Sequence, residues 1–129
     1  MELKAGMTAK AELLVDKTCT ADVWGSGNLE VLSTPRLIAL MEQAATEVLK
    51  GRLEEGMTSV GTSIKMSHTA ATPIGLTVWA EAKLLSFSGR TFEFYIKAFD
   101  EAGSIGEAEH TRAAVKIERF MEKVLAKRK

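Results

Sequence analysis

The chain has 129 residues, of which 46% are hydrophobic and 26% are charged. This size and balance are typical of one globular domain with a single core, and we expect residues 1–129 to form one domain. Seventeen Lys and Arg residues balance seventeen Asp and Glu residues, so the sequence has no net positive charge that would attract a nucleic acid.

The remaining composition argues against a membrane or secreted protein. No apolar run approaches the roughly 18 residues that span a bilayer as a helix. The first ten residues, MELKAGMTAK, contain no apolar stretch of signal-peptide length. The single cysteine, Cys19, has no second cysteine with which to form an internal disulfide. We therefore expect a cytoplasmic protein that binds neither membrane nor nucleic acid.

The first predicted element is a strand within AKAELLVDKTCTA, residues 9–21. The segment that follows, DVWGSGNLEVL at residues 22–32, contains Gly25 and Gly27 and is predicted to be an irregular loop.

Residues 33–51, STPRLIALMEQAATEVLKG, predict one long and mostly buried helix. Thr34 is placed to cap its N-terminus, and Pro35 occupies the first helical position. Gly51 or Gly56 offers a stop. Apolar residues recur at helical spacing, namely Leu37, Ile38, Met41, Ala44, Ala45, Val48 and Leu49. Glu42 falls at the border of this apolar stripe.

From Thr58 the hydrophobic period changes to two, which is typical of a strand. One face is predicted to carry Val60, Thr62, Ile64, Met66 and His68, and the other Gly61, Ser63, Lys65 and Ser67. On this alternation, His68 points in the same direction as the apolar side chains.

Three more strands are predicted in LTVWAEAKLLS, TFEFYIKAF and SIGEAEHTRAAVKIERF, joined by the turns FSGR and DEAG. A short helix is expected from Glu118. The order predicts an α+β fold in which an antiparallel sheet wraps around one long central helix, the hotdog architecture. The second sheet face, with Thr77, Trp79 and Tyr95, is left partly uncovered, so we expect a homodimer, and pairing of dimers into a tetramer stays open.

No nucleotide-binding, CxxC or HExxH motif is present, and no metal site is predicted. The candidates for chemistry are Thr34, Glu42 and His68. Taken singly, each has a structural explanation: Thr34 as a helix cap, Glu42 as a border residue bonded to backbone, and His68 as a satisfied core histidine. Arg112 by default is a solvated strand residue, and His110 receives no role.

Four segments together resemble the fluoroacetyl-CoA thioesterase family of hotdog enzymes. They are LMEQA at 40–44, SVGTSI at 59–64, SHTAATPIGLTV at 67–78 and HTRAAV at 110–115. The resemblance extends over roughly residues 5–125. It implies a catalytic set of Thr34, Glu42 and His68, with Gly61 and Arg112 contacting the substrate.

The reaction that the resemblance implies is hydrolysis of a short-chain acyl-CoA to a carboxylic acid and free coenzyme A. Coenzyme A is then part of the substrate, and no further cofactor is expected. Glu42 would be the nucleophile or the base that activates water, His68 the proton-transfer partner, and Thr34 the hydroxyl that orients the thioester. The sequence does not separate attack by the carboxylate from attack by water.

The segment before the helix departs from the family pattern. It has Trp24 but none of the phenylalanines that gate the acyl pocket in the fluoroacetyl-specific enzyme, which predicts a different acyl preference. Two alternatives stay open. One is a non-catalytic acyl-CoA binding or sensing module, and the other is an enoyl-CoA hydratase on the same fold.

Overall fold

The structure is a computed structural model that describes residues 2–128. Its elements in chain order are β1 (Thr8–Leu14), α1 (Ala21–Trp24), α2 (Thr34–Leu49), β2 (Met57–His68), β3 (Thr77–Ser88), β4 (Thr91–Asp100), β5 (Gly103–Lys116) and α3 (Ile117–Leu125). The strands form one antiparallel sheet in the order β1-β3-β4-β5-β2. The predicted α+β hotdog arrangement, with one long helix against an antiparallel sheet, is confirmed.

The N-cap of the long helix lies one residue earlier than predicted. Ser33, not Thr34, is the N-cap, because the Ser33 hydroxyl accepts a hydrogen bond from the backbone N–H of Arg36. Thr34 is the first helical residue and Pro35 the second. Since Ser33 already satisfies the helix end, the Thr34 hydroxyl remains available for another partner.

The buried face of α2 differs by two residues from the predicted stripe. Leu40 is fully buried although it was not assigned to the stripe, while Ile38 is only half-buried although it was. Ile38 lies between Thr34 and Glu42 on the row of residues four apart, and this row forms the edge of the helix rather than its buried face. The helix ends at Leu49, and Gly51 follows in the left-handed conformation with φ of 75°.

The core lies between α2 and the inner face of the sheet. Val78, Ala80, Ala82 and Leu84 of β3 are fully buried and alternate along the strand. Several inward residues of the sheet and helix are alanines, so the helix approaches the sheet closely. The helix packs mainly over β1 and β3. This leaves β2, at the opposite edge of the sheet, largely uncovered by the helix.

A bulge interrupts the pairing of β2 with β5. Gly61 pairs with Arg112 and Ser63 pairs with Thr111, so Thr62 is an extra residue in β2. The predicted alternation holds after the bulge, where Ile64, Met66 and His68 are half-buried. Before the bulge the assignment was wrong, because the extra residue shifts the phase by one and turns Gly61 inward instead of Val60 or Thr62.

The segment before α2 is more regular than predicted, since its start forms the short helix α1. Trp24 ends this helix, and its indole N–H donates to the Thr18 carbonyl. On the outer face of the sheet, Trp79 stacks on Phe99 with ring centroids 5.7 Å apart. Among residues 2–128, no helix is long and apolar enough to cross a membrane.

Candidate active site

The N-terminus of α2 meets the end of β2 at a direct side-chain contact. Thr34 Oγ1 lies 2.8 Å from His68 Nδ1, which is a hydrogen bond between the first residue of the helix and the last residue of the strand. The contact is possible because Ser33 caps the helix, which leaves the Thr34 hydroxyl unengaged. Two of the three predicted catalytic residues are therefore brought together.

The second nitrogen of His68 is buried and lacks a hydrogen-bond partner within the part of the chain that the structure describes. An unpaired buried polar atom costs free energy, and such atoms are rare away from functional sites. Burial also lowers the pKa of His68 below its ordinary value of 6.5, so the imidazole is neutral at neutral pH. A neutral imidazole with one free nitrogen can transfer a proton there.

A cavity of about 240 Å³ opens beside this pair. Small and aliphatic side chains form much of its wall, alongside Thr34 and His68; they include Ala21, Val31, Leu32, Ala70 and Ala71. Trp24, the aromatic residue singled out in this segment, is not among the residues that line the cavity.

The third predicted catalytic residue lies elsewhere. Glu42, two turns further along α2, has a half-exposed side chain whose Oε2 is 3.6 Å from Arg112 Nη1. Gly61 permits this approach: a Cβ at residue 61 would lie only 2.6 Å from Glu42 Oε2. The two predicted substrate-contacting residues therefore surround Glu42, and the bulge at Thr62 is what turns Gly61 toward it.

Arg112 is buried rather than solvated, contrary to the default reading of a strand arginine, with 6% of its surface exposed. Its Nε donates to Ser59 Oγ at 2.9 Å, and Nη2 donates to the Ser59 carbonyl at 3.0 Å. The guanidinium is thus held on one side by β2, while the other side faces Glu42. At 3.6 Å the contact with Glu42 is an ion pair without a short hydrogen bond. Arg112 therefore attracts the carboxylate without fixing its orientation.

His110 belongs to this second cluster, although the sequence reasoning gave it no role. It is 2% exposed, and its Nε2 lies 3.2 Å from Arg112 Nη1. The signal for it was present, because His110 and Arg112 alternate in β5 with Glu109 and Thr111 and so share the inner face with Ala108. Two polar residues on the inner face of a strand indicate a buried polar site.

Within one protomer the two clusters are separate. Thr34 and Glu42 are eight residues apart on one helix, which is roughly 12 Å along its axis. His68 and Gly61 are separated along β2 by roughly 20 Å. No three His, Cys, Asp or Glu side chains in residues 2–128 converge as metal ligands do.

Comparison with known proteins identifies the family. The profile of the fluoroacetyl-CoA-specific thioesterase family matches residues 15–118. A fluoroacetyl-CoA thioesterase from Streptantibioticus cattleyicolor is 42% identical over 98 residues, which are 76% of this chain and 70% of that protein. A crystal structure of the fluoroacetyl-CoA thioesterase FlK superimposes with a TM-score of 0.93 at 33% identity, covering 98% of both chains.

A more distant structure supports the fold alone. A hot-dog-like protein from Thermanaerovibrio acidaminovorans has a TM-score of 0.87 at 22% identity, covering 97% of this chain and 93% of its own. The fold and the profile match over most of the chain lead to one conclusion: the chain belongs to the fluoroacetyl-CoA-specific thioesterase family.

Proposed function

We propose that this protein hydrolyses short-chain acyl-CoA thioesters to the carboxylic acid and free coenzyme A, as a homodimer with composite active sites. Each site combines Thr34 and His68 of one protomer with Glu42 of the other. The observation that supports this proposal is the buried His68 Nε2 without a partner, at a distance from the only carboxylate assigned to the reaction.

The edge strand supplies a route to such a dimer. Within residues 2–128, β2 pairs only with β5, so its other edge offers backbone groups to a second copy. When β2 pairs antiparallel with the β2 strand of a second copy, a two-fold axis relates the two protomers. A two-fold axis between Ile64 and Lys65 sets Gly61 of one protomer opposite His68 of the other. Because Glu42 lies against Gly61, this register brings Glu42 near the second copy's His68.

The chemistry follows from these positions. The Glu42 carboxylate either attacks the thioester carbonyl carbon or removes a proton from the water that attacks it. The C–S bond then breaks and releases the coenzyme A thiolate. Where water attacks, unprotonated His68 Nε2 takes the proton from Glu42 and gives it to the thiolate; where Glu42 attacks, Nε2 takes a proton from the water that hydrolyses the acyl-enzyme and gives it to the thiolate. Glu42 then returns as a carboxylate and His68 as a neutral imidazole. Thr34 holds the imidazole through Nδ1, and Arg112 attracts the Glu42 carboxylate from 3.6 Å.

The acyl class is inferred from the cavity and from the relatives. The cavity beside Thr34 and His68 is about 240 Å³ and lined largely by small residues, which suits a short acyl group. The similar enzymes are named for fluoroacetyl-CoA, a two-carbon acyl thioester. Trp24 lies outside the cavity wall. We therefore expect the acyl preference of this protein to differ from that of an enzyme whose acyl pocket is gated by aromatic side chains.

Thiol release from a panel of CoA esters tests the activity. The panel contains acetyl, propionyl, fluoroacetyl, branched and aromatic acyl groups. We expect turnover of a short acyl-CoA that falls by at least about a hundredfold in Glu42→Gln and in His68→Ala. Glu47→Gln is the matched control, since it makes the same change on the same helix at a carboxylate that forms no ion pair within residues 2–128, and it should retain full activity.

The same panel separates the alternatives. Consumption of an enoyl-CoA without thiol release would support the hydratase. Tight binding of CoA esters without turnover, unchanged in Glu42→Gln, would support the binding module. Either result would overturn the thioesterase assignment for this chain.

Mixing two inactive variants tests the composite site. In a heterodimer of Glu42→Gln and His68→Ala protomers, one site combines the intact Glu42 of one chain with the intact His68 of the other. Random exchange gives half heterodimers, each with one working site, so about a quarter of the parental activity should return. A mixture that exchanges subunits but stays inactive would place each site within one protomer.

A further inference from the structure

His110 is the most deeply buried titratable side chain beside the proposed site, and the reaction described above does not use it. It lies on the inner face of β5 with 2% of its surface exposed, and its ring is tilted against Phe94 at a centroid distance of 6.2 Å. Both of its nitrogens have partners: Nδ1 is 2.8 Å from the Ser63 carbonyl and Nε2 is 3.2 Å from Arg112 Nη1.

These two partners determine the tautomer of His110. The Ser63 carbonyl can only accept a hydrogen bond, so Nδ1 carries the proton and donates it. The guanidinium of Arg112 can only donate, so Nε2 is unprotonated and accepts from Nη1. The imidazole is therefore neutral, and a proton on Nε2 would remove the acceptor that Arg112 uses.

The bulge in β2 is part of this arrangement. Thr62 is the extra residue, and Ser63, immediately after it, supplies the carbonyl that holds Nδ1. Gly61, immediately before Thr62, has no side chain, and a Cβ at residue 61 would lie 3.1 Å from His110 Cε1. One irregularity in β2 thus accommodates both the His110 ring and the approach of Glu42.

We infer that His110 is a positioning residue for the hydrolysis, which holds Arg112 by its unprotonated Nε2 and thereby directs the guanidinium toward Glu42. This inference rests on the proposed function. Ser59 accepts hydrogen bonds from Nε and Nη2 of Arg112, and so holds one side of the guanidinium. His110 supplies the contact to Nη1, the nitrogen that faces Glu42. Without it, Nη1 loses the acceptor that fixes its position opposite the reacting carboxylate, and only the two bonds to Ser59 hold the guanidinium.

The charged groups around His110 explain why the neutral form is kept. Arg112 follows on the same strand and Glu42 faces it from α2, while Glu93 of β4 acts on it only through its charge, since its exposed side chain accepts a hydrogen bond from Thr111. Burial lowers the pKa of His110, and Arg112 lowers it further, against the opposing effect of the Ser63 hydrogen bond and the two glutamates. Protonation in acid would place two cations side by side and release Arg112 from its acceptor.

Two substitutions of His110 test the inference. His110→Gln keeps a side-chain oxygen that can accept from Arg112, whereas His110→Leu fills similar space without an acceptor. We expect kcat to fall roughly 10- to 100-fold in the leucine variant, with KM within about threefold. The glutamine variant should recover most of the lost kcat. Equal losses in both variants, or a loss confined to KM, would overturn the inference.

Substituting His110 in a protein that already carries Arg112→Lys tests whether His110 acts through Arg112. If it does, His110→Leu should cause no further loss of kcat once Arg112→Lys has removed the guanidinium. Losses that multiply in the double variant would show an independent role for His110 and contradict the inference. Urea unfolding of each variant identifies any loss of activity that comes from loss of folded protein.

Nitrogen NMR of the parent protein gives a result that does not depend on any variant folding. The imidazole shifts of His110 should report a proton on Nδ1 at neutral pH, and a proton on Nε2 would overturn the inference. Failure of the proposed function is distinguishable, because the parent would then release no thiol from any CoA ester. If the parent is active and His110→Leu keeps its full kcat, the inference about His110 is overturned and the proposed function is not.

Discussion

At the scale of single residues, the missing side chain of Gly61 matters as much as the side chains around it. The position has an ordinary backbone conformation, so the need for glycine there is one of space rather than of torsion angle. Glu42 Oε2 occupies the volume where a Cβ would be. Gly61 is therefore a determinant of where the carboxylate lies.

Gly61→Ala should displace Glu42 and lower kcat at least about tenfold, because small errors in the position of a reacting group are costly. The unfolding free energy should change by less than about 1 kcal/mol, since the closest atom is the end of a flexible side chain and the His110 ring, 3.1 Å from the new Cβ, needs to move by only a few tenths of an ångström. Steady-state kinetics and urea unfolding measure the two effects. Ser67→Ala, at an exposed position of the same strand, is the control and should leave both unchanged. Full activity in Gly61→Ala would contradict this account of Glu42.

The residues of the candidate site were predictable from sequence to different degrees. Thr34, Glu42 and His68 were singled out by their motif segments, and the structure places two of them in contact. His110 was missed because a lone histidine in a strand has no motif of its own. Its role depends on a carbonyl that only the bulge at Thr62 brings within reach, and no local pattern in β2 indicates a bulge there.

At the scale of elements, the start of α2 divides two tasks between neighbouring residues. Ser33 caps the helix, and Thr34 bonds to His68. From sequence either hydroxyl could be the cap, because both residue types are good N-caps and both precede the apolar stripe. The pairing of β2 with β5, rather than with the next strand in the chain, could not be predicted either. Alternation predicts a strand but does not indicate which strand lies next to it in the sheet.

Ser33→Ala should lower the unfolding free energy by about 1 kcal/mol through loss of the cap, and leave the Thr34 contact in place. Thr34→Val should do the reverse, with kcat reduced at least about tenfold and a smaller effect on stability. Denaturant titration and thiol-release kinetics on both variants check this division. The opposite pattern, with stability lost in the valine variant and activity lost in the alanine variant, would return the capping role to Thr34.

At the scale of the whole molecule, the buried imidazole of His110 couples global stability to pH. Its pKa is lowered in the folded state, mainly by burial, below the ordinary value of 6.5. Between these two values the unfolded chain binds more protons than the folded one, so acid favours unfolding. The stabilisation is complete above pH 6.5 and is lost as the pH falls through the folded-state pKa.

We therefore expect the free energy of unfolding to decrease between about pH 7 and pH 5, at a fixed protein concentration. His110→Gln should show a weaker decrease, because glutamine does not titrate. Urea unfolding at several pH values measures both slopes. A parent protein whose stability stays constant or rises over this range would contradict the assigned direction of the His110 pKa.

The ion pair between Glu42 and Arg112 also has a consequence for the end of the reaction. The acid formed by hydrolysis is an anion, and a buried guanidinium is a natural place for an anion to remain. Glu42 already faces that guanidinium, and its own negative charge repels a second carboxylate. In the proposed mechanism, the carboxylate that begins the reaction therefore also repels the acid it produces, which favours release of that product.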